Sequence, residues 1–216
     1  NLLEEIFVNL IDYNNNYEII LVNDASVDNS KTIIEKIVLK YPELIKLINN
    51  KENQGQSFSL TRGIKNSKYN IIITLDGDGQ NNPKDIPKLL SHYLLKENIS
   101  LVGGIRVKRK DSLIKIVSSK IANYIRNIIL KDNCPDTGCS LKVFDKKVFL
   151  NFPFFSGIHR FLPALFTGFG KETLFLPVDH RPRLFGNSKY GTFGRLFNGI
   201  KDTNRVLKII NNTKKN

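Results

Sequence analysis

Residues 70–80, Asn70-Ile71-Ile72-Ile73-Thr74-Leu75-Asp76-Gly77-Asp78-Gly79-Gln80, decide the fold class of this 216-residue chain. Five apolar or β-branched residues in a row predict a buried strand, and the Asp/Gly cluster behind them predicts a turn. Asp76 and Asp78 are two residues apart, so in near-extended backbone their carboxylates point to the same side. They follow the strand at its carboxyl end, where ligands bind in an open α/β sheet.

The two carboxylates and the amide of Gln80 form a donor set for a hard divalent cation. Oxygen ligands suit Mg²⁺ or Mn²⁺, and Mg²⁺ sites of this kind usually share the ion with substrate phosphates. The flanking glycines let backbone and ligand approach closely. The alternative is a solvated Asp-Gly turn. The long apolar strand in front of the motif favours the metal site.

Helical and strand patterns alternate over the first hundred residues. Helices are predicted over 2–11, 33–38, 57–64 and 85–95, and strands over 18–22, 44–48 and 71–75. This alternation predicts an α/β fold with a mostly parallel sheet and helices on both faces. Asp24 follows the first strand, where it is placed to accept a hydrogen bond from a ribose or a base. Capping of the next helix is an equally good role for it.

The second half of the chain is richer in basic residues. A strand over 101–106 ends in Arg106, and a basic amphipathic helix follows over 113–131. Such a helix either lies in a membrane interface or packs its apolar stripe on the domain core. Further on, Asp136 opens a tight turn before a strand over 140–144. The loop 180–190 carries Arg and Lys side chains suited to gripping phosphate oxygens, although such a charge run is also typical of a solvated loop.

The charge balance predicts an anionic partner. The chain has 33 Lys and Arg against 20 Asp and Glu, a net charge of +13. Such a charge would attract nucleic acid, phosphorylated substrates or an acidic membrane face. No helix-turn-helix, RNP-like or zinc-finger pattern is present, so we expect no nucleic-acid partner. No apolar run approaches the ~18 residues of a membrane-spanning helix.

A set of short motifs occurs along the chain in a characteristic order: Val22-Asn23-Asp24-Ala25-Ser26-Val27-Asp28, Asn53-x-Gly55, Asp76-Gly77-Asp78-Gly79-Gln80 with Pro83, Gly104-x-Arg106, Asp136-Thr137-Gly138-Cys139, His159-Arg160 and Arg183-x-x-Gly186-x-Ser188-Lys189-Tyr190. In this order they resemble the motifs of family 2 glycosyltransferases of the GT-A fold, in the dolichol- or polyprenyl-phosphate sugar synthase branch. The resemblance covers about residues 1–200.

The resemblance implies a single catalytic domain over 1–216, with a nucleotide-sugar half over about 1–100 and an acceptor half, carrying the basic helix and tail, over about 101–216. It implies inverting transfer of a hexose from a nucleotide sugar, GDP-mannose or a UDP-sugar, to a polyprenyl phosphate. The reaction would take place at the cytoplasmic face of an anionic membrane. The enzyme would be peripheral there, unless an anchoring segment or partner subunit holds it.

The resemblance also assigns roles to residues. Asp24 and Ser26 would bind the nucleotide sugar together with Asp76 and Asp78, and Gln80 would complete the metal site. The candidates for catalysis are Asp136, Arg106 and Asp78. The phosphate and acceptor side would be lined by Arg106, Arg183, Ser188 and Lys189.

The sequence departs from the family pattern at its start. Family members open with a strand that ends in a Pro-x-x-Asn-Glu motif, and this sequence does not contain that motif. We therefore expect a central strand to be missing. Parallel strands covered on both faces are apolar, so its loss should leave an apolar slot in the sheet.

The proposed acceptor bears on the chemistry expected of Asp136. A phosphate monoester has a second pKa near ~6, so it is mostly dianionic at neutral pH and needs positioning rather than a strong base. Asp136 is then a candidate for orienting the acceptor, whereas a required base would indicate a sugar-hydroxyl acceptor, as in envelope polysaccharide synthesis. Asp-x-Asp-Gly after an apolar strand also resembles the haloacid-dehalogenase phosphohydrolases, but Gln80 stands where Thr or Val is usual.

Overall fold

The structure is a computed structural model that describes residues 2–13, 16–107, 113–182 and 192–213. Strands and helices alternate through the first half, as the sequence predicts. The elements are α1 (Leu2–Asn9), β1 (Ile19–Asn23), α2 (Ser30–Lys40), β2 (Ile45–Asn49), α3 (Gln56–Lys65), β3 (Ile71–Thr74) and α4 (Ile86–Leu95).

The second half continues the α/β pattern. Its elements are β4 (Ile99–Val107), α5 (Leu113–Leu130), β5 (Lys142–Asp145), α6 (Lys146–Leu150), α7 (Ile158–Gly168), β6 (Glu172–Asp179) and α8 (Thr192–Thr213). β6 was not among the predicted strands. It contains Pro177, and the structure places it at a sheet edge, where proline is tolerated.

The strands form two sheets. β1 pairs with β2 in parallel, with Ile19 opposite Ile45 and Asn23 opposite Asn49. The second sheet has the order β3-β5-β4-β6, and in it β5 is antiparallel to both β3 and β4, whereas β4 and β6 are parallel. Among the strands of this second sheet, β5 alone therefore runs in the opposite sense. The predicted α/β class, with mostly parallel strands, is confirmed.

The two sheets are not joined to each other in the described part of the chain. β1 has no partner other than β2, and β3 has none other than β5. Both strands line one cavity of about 1250 Å³. An apolar slot between strands is what the sequence predicts for a sheet that lacks a central strand.

Two apolar clusters form the core. One surrounds α7, where Leu165 and Phe166 are fully buried and pack with Phe144 of β5 and Val206 of α8. The other lies between α4 and the four-stranded sheet and contains Leu89, with 0% of its surface exposed. These clusters hold β5 and α7 in place; the turn preceding β5 carries Asp136, and the first turn of α7 carries His159.

The described side chains of α5 do not pack as an amphipathic helix on the core. Its apolar residues Ile121, Tyr124, Ile125 and Ile128 are each more than half exposed, whereas Arg126 is buried. Arg126 forms an ion pair of 3.1 Å with Asp132 and donates to the carbonyl of Cys134. Arg126, one of the basic residues of the predicted amphipathic helix, is therefore held inward by this ion pair. The alternative of a core-packed apolar stripe is wrong for these residues.

None of the helices in the described ranges is long and apolar enough to cross a membrane.

Candidate active site

The turn behind β3 carries the predicted metal ligands and is tied to the turn before β5. The backbone N–H of Asp76 donates to the hydroxyl of Ser140 at 3.2 Å, and that hydroxyl donates to Asn81 at 2.6 Å. Thr74, the last residue of β3, donates from its own hydroxyl to the carbonyl of Ser140 at 2.6 Å. These hydrogen bonds therefore fix the turn that carries Asp76 and Asp78 to the segment that leads into β5.

The carboxylates of Asp76 and Asp78 lie close enough to repel each other. Burial raises the pKa of Asp76 above its ordinary value, and the charge of Asp78 raises it further. Asp78 accepts a hydrogen bond from the backbone N–H of Gln80 at 3.0 Å, which closes the turn. A divalent cation bound to both carboxylates would relieve this repulsion, so the site fits such an ion.

Gln80 shares that turn, but its side chain also contacts the chain near β6. Its side-chain amide nitrogen donates to the backbone carbonyl of Arg181 at 3.4 Å, and the backbone carbonyl of Gln80 accepts from the backbone N–H of Arg181 at 2.8 Å. Within the described residues no cluster of three or more His, Cys, Asp or Glu side chains is arranged to hold a metal. Two carboxylates and one amide are therefore the donors that the protein offers here.

Asp24, which follows β1, forms hydrogen bonds with the loop that precedes α3. Its side chain accepts from the Asn50 amide at 2.7 Å and from the backbone N–H groups of Gln54 and Gly55 at 2.9 and 2.8 Å. Burial raises the pKa of Asp24, but these hydrogen bonds outweigh it and hold the pKa below its ordinary value. The capping role for Asp24 is wrong, because Asn29 is the residue at the N-cap of α2.

The first turn of α3 connects the ends of β1 and β3. Gly55, with φ of +83°, donates to Asp24, and the next residue, Gln56, donates from its side chain to Asp76 at 2.8 Å. Carboxylates from two different strands therefore meet at one helix N-terminus. This position, at the carboxyl ends of the strands, is the usual ligand site of an α/β sheet.

Arg106 and Asp136, two of the candidates for catalysis, form a pair. The Arg106 Nε and Nη2 atoms donate to the two carboxylate oxygens of Asp136, each at 2.8 Å, and the Arg106 backbone N–H donates as well. Both side chains are largely buried. A side chain at Gly138 would begin 2.6 Å from the guanidinium, so only glycine leaves room for the pair. The charge of Arg106 also reaches Asp76, whose pKa it lowers.

His159, from the His159-Arg160 motif, and Ser57, which the sequence did not single out, lie together in the same cavity. The Nδ1 atom of His159 is 2.6 Å from the hydroxyl of Ser57, which also accepts from the N–H of Gly157 at 2.8 Å. Burial, followed by the charges of Arg160 and Lys142, lowers the pKa of His159 to about 3. The imidazole is therefore neutral at physiological pH. The motif His159-Arg160 was visible in the sequence, but its partner Ser57 was not.

Lys142 is a buried cation beside this site. Only 3% of its surface is exposed, and its ammonium donates to the carbonyl of Cys139. Its charge lowers the pKa of both Asp76 and His159. In the sequence Lys142 stands among apolar strand residues, so only the fold shows that it faces the carboxylate turn.

The other predicted residues are placed as follows. Ser26 is exposed, and its backbone N–H donates to the side chain of Asn23 at 3.1 Å. Arg181, at the start of the predicted phosphate loop, pairs with Glu5 of α1 at 2.7 Å. Arg183, Ser188 and Lys189 lie outside the described residues.

The chain resembles known proteins over most of its length. A dodecaprenyl-phosphate galacturonate synthase from Rhizobium johnstonii is 32% identical over 209 residues, which cover 95% of this chain and 61% of that protein. An undecaprenyl-phosphate 4-deoxy-4-formamido-L-arabinose transferase from Yersinia pestis is 33% identical over 186 residues, 86% of this chain and 56% of the relative. The chain thus spans about three-fifths of the length of these relatives.

Solved structures agree on the fold. Glucosyl-3-phosphoglycerate synthase from Mycobacterium tuberculosis, crystallised with Mn²⁺ and UDP-glucose, matches with a TM-score of 0.62 at 14% identity, over 87% of this chain and 67% of that one. The sequence model described as glycosyl transferase family 2 matches residues 1–152. The chain belongs to glycosyl transferase family 2.

Proposed function

We propose that this chain is the catalytic domain of an enzyme that transfers a sugar from a nucleotide sugar to a polyprenyl phosphate. The observation that carries the proposal is the meeting of Asp24, the Asp76–Asp78 turn and the Arg106–Asp136 pair at one edge of the sheets. Relatives named for dodecaprenyl- and undecaprenyl-phosphate support a lipid phosphate as acceptor. The donor is a GDP- or UDP-sugar, and the transfer inverts the anomeric centre.

On the donor side, Asp24 and Ser26 would contact the nucleoside, and Asp76, Asp78 and Gln80 would hold a divalent cation, Mg²⁺ or Mn²⁺. When bound there, such a cation would supply positive charge next to the leaving diphosphate. The M. tuberculosis synthase, which has this fold, was crystallised with Mn²⁺ and a UDP-sugar. The raised pKa of Asp76 is an independent reason found in this chain, because a partly buried carboxylate beside the charge of Asp78 is stabilised by a counter-charge.

The buried side chains of Lys142 and Arg106 are placed to stabilise the negative charge of the leaving diphosphate. Lys142 lies within electrostatic reach of Asp76 and is shielded from solvent, so its effect on a nearby diphosphate is stronger than that of a surface lysine. Arg106 is fixed by Asp136, which leaves it preorganised rather than free to reorient. Arg183, Ser188 and Lys189, from the segment outside the described residues, contribute to the phosphate side.

Asp136 orients the acceptor rather than removing a proton from it. Its two oxygens accept from Arg106, so its position is set by the protein before any ligand arrives. A phosphate dianion carries its own nucleophilic charge and requires alignment with the anomeric carbon.

The acceptor lipid brings the enzyme to a membrane surface. The exposed apolar residues of α5, namely Ile121, Tyr124, Ile125 and Ile128, form a stripe on a helix that also carries lysines. Such a helix binds reversibly in the interface, and the net charge of +13 favours an anionic leaflet. We place the enzyme at the cytoplasmic face, where nucleotide sugars are available, held by this stripe or additionally by an anchoring segment or partner subunit.

A transfer assay tests the proposal. The chain is incubated with labelled GDP- and UDP-sugars, Mg²⁺ or Mn²⁺ and undecaprenyl phosphate in detergent, and the lipid product is extracted. We expect metal-dependent label in the lipid with one of the donors. Label in a sugar-hydroxyl acceptor but not in the lipid would indicate polysaccharide synthesis instead. Release of phosphate from a generic phosphomonoester, without binding of any nucleotide sugar, would indicate a phosphohydrolase.

A further inference from the structure

Two residues of the candidate site, His159 and Arg160, have no role in the transfer proposed above. Both lie on the first turn of α7 and line the cavity of about 1250 Å³. Arg160 is paired with Asp202 of α8 at 2.9 Å. The backbone N–H of Gly157, just before the helix, donates to the Ser57 hydroxyl of α3 at 2.8 Å. This turn of α7 is therefore fixed to both α8 and α3 before any ligand binds.

The contacts of Ser57 determine which nitrogen of His159 carries the proton. The Ser57 hydroxyl oxygen already accepts from Gly157, and in the described part of the chain the one acceptor in contact with its proton is Nδ1 of His159, at 2.6 Å. The hydroxyl therefore donates to Nδ1, which must be unprotonated in order to accept. Because the imidazole is neutral, its own proton is on Nε2.

The Nε2–H group of His159 is a donor that the protein does not use. None of the described residues accepts a hydrogen bond from it, and the two charged groups that act on the imidazole, Arg160 and Lys142, are cations that can only donate. His159 is only half buried and lines the cavity, so a ligand there can reach it. An acceptor oxygen supplied by a ligand would complete the hydrogen bonding of this ring.

The first turn of α3 connects His159 to the carboxylate turn. Gln56 donates to Asp76 at 2.8 Å, and the following residue, Ser57, holds His159. The charge of Lys142 lowers the pKa of both Asp76 and His159, so one buried ammonium is within electrostatic reach of both. A diphosphate bound at the carboxylate turn would therefore bring the sugar that it carries close to the imidazole.

We propose that the Nε2–H of His159 donates a hydrogen bond to a hydroxyl oxygen of the transferred sugar, and that Ser57 is the positioning residue that keeps the ring in this orientation. The proposal rests on the function proposed above, because the sugar arrives on the nucleotide. A neutral donor suits a neutral hydroxyl, whereas phosphate oxygens are bound more strongly by charged donors such as Arg106.

The Ser57–His159 pair would select the sugar rather than transfer a proton. Nδ1 accepts from Ser57 and Nε2 holds a proton, so the ring has no free lone pair with which to act as a base. A site built to donate to a substrate hydroxyl discriminates against a sugar that lacks that oxygen, because the N–H of the site is then left unpaired. This role agrees with an acceptor phosphate that needs no base.

Nitrogen NMR of the chain labelled with ¹⁵N-histidine tests the tautomer directly. The chain has three histidines, and His92 is an internal reference, because its Nδ1 lies 2.8 Å from the Lys88 carbonyl, which can only accept. We expect a protonated Nδ1 for His92, and a protonated Nε2 with an unprotonated Nδ1 for His159. The His159 signals are assigned by their absence in His159→Gln. In Ser57→Ala the Nδ1 resonance of His159 should move, because this nitrogen loses its hydrogen bond.

Nucleotide titrations in Mg²⁺ test the contact with the sugar. The probes are UDP-glucose and GDP-mannose, compared with UDP and GDP. We expect the Nε2 resonance of His159 to shift at least about twice as far with a sugar nucleotide as with its nucleoside diphosphate, because only the former carries the hydroxyl.

Two substitutions separate the donor at Nε2 from the contact with Ser57. In His159→Asn the amide oxygen can still accept from Ser57, but no donor reaches the Nε2 position, whereas in His159→Gln the amide nitrogen can reach it. We expect His159→Asn to lower kcat/KM for the sugar nucleotide at least about tenfold more than His159→Gln, with inhibition by the nucleoside diphosphate unchanged. The control is His92→Asn on α4, outside the site, which should retain the wild-type kcat/KM.

Four outcomes would count against the sugar contact. A protonated Nδ1 at His159, or an Nδ1 resonance that stays in place in Ser57→Ala, would overturn the assigned tautomer and the proposal with it. Equal shifts with UDP and UDP-glucose, and with GDP and GDP-mannose, would assign the contact to the diphosphate instead. Equal kcat/KM for His159→Asn and His159→Gln would show that His159 is structural. If none of the four nucleotides binds while the tautomer is as expected, the proposed function fails, and the sugar contact fails with it.

Discussion

The guanidinium of Arg106 and the carboxylate of Asp136 meet at two points, Nε to Oδ2 and Nη2 to Oδ1, each at 2.8 Å. Arg106 lies near the end of β4 and Asp136 in the turn before β5, so the pair connects two strands at the edge that carries the carboxylate turn. Only a planar guanidinium makes both contacts, and a lysine ammonium would make one. The geometry of the pair, rather than its charge alone, therefore sets the position of Asp136.

Arg106→Lys keeps the charge and removes the second contact. We expect kcat for transfer to fall at least about tenfold, which corresponds to about 1.4 kcal/mol of transition-state stabilisation, because Asp136 loses its fixed orientation. Transfer rates at saturating substrate and thermal melts measure the effect. The matched control is Arg126→Lys, in the buried pair with Asp132 outside the site. That variant should lose stability while retaining kcat below its melting temperature; equal kcat losses in both would show that the Arg106 pair is merely structural.

Asp78→Asn removes one of the two adjacent carboxylates. We expect metal-dependent nucleotide binding to be lost and transfer to fall below a tenth of wild type, because a neutral amide is a poorer ligand for a hard cation. Binding is measured by isothermal titration of the chain with GDP- and UDP-sugars in Mn²⁺. The pKa of Asp76 should also fall toward its ordinary value, since the charge of Asp78 contributes to raising it.

The matched control for that variant is Asp28→Asn. Asp28 accepts from the backbone N–H two residues ahead, at 3.0 Å, in the same kind of turn as Asp78 and Gln80. Loss of the turn alone therefore affects both variants, and loss of the metal affects only Asp78→Asn. Retention of more than about a tenth of the activity by Asp78→Asn, a loss under ~1.4 kcal/mol, would contradict the assignment.

His159 makes stability depend on pH. Its pKa is lowered to about 3 in the folded protein, against an ordinary 6.5, so between these values the unfolded chain binds a proton that the folded chain does not. Stability from this residue is thus present above pH 6.5 and falls as the pH drops toward 3. We expect the melting temperature of wild type to fall by several degrees more than that of His159→Gln between pH 7 and pH 5. Parallel slopes for the two proteins would show that His159 titrates normally.

The local features of this chain were predictable from its sequence, and the pairings were not. The apolar run 71–75 and the carboxylates after it specify a strand and a turn within eleven residues, and the structure has both. The Arg106–Asp136 pair joins residues 30 positions apart, and Ser57 and His159 are 102 apart. Contacts between residues so far apart in sequence depend on how the strands are arranged in the sheets, and a local sequence pattern does not predict that arrangement.

The α5 helix shows a second limit. Periodicity correctly predicted a helix with one apolar stripe, but it does not say which side of the helix the rest of the protein covers. Arg126 is turned inward because Asp132 and the Cys134 carbonyl offer it partners, and these lie beyond the end of the helix. The exposed stripe that results is the reason to expect membrane contact.

The apolar stripe of α5 should control binding to membranes. Ile125 and Ile128 are 53% and 59% exposed, so the double variant Ile125→Glu/Ile128→Glu does not disturb the core. It removes apolar area from the contact and places two negative charges against an anionic leaflet, where each basic residue contributes on the order of 1 kcal/mol. We expect the fraction sedimenting with phosphatidylserine vesicles at low salt to fall at least about fivefold.

Two controls, the salt dependence of binding and a variant on another helix, test whether binding depends on the α5 stripe. Wild-type binding should weaken at high salt, because charges beyond a Debye length of ~8 Å at physiological ionic strength are screened. Leu39→Glu on α2, where the side chain is 81% exposed, makes the same kind of change on another helix and should leave binding close to wild type. Wild-type protein that stays in the supernatant at low salt would contradict membrane contact altogether. Equal losses from the α5 and α2 variants would show that net charge, rather than the α5 stripe, determines binding.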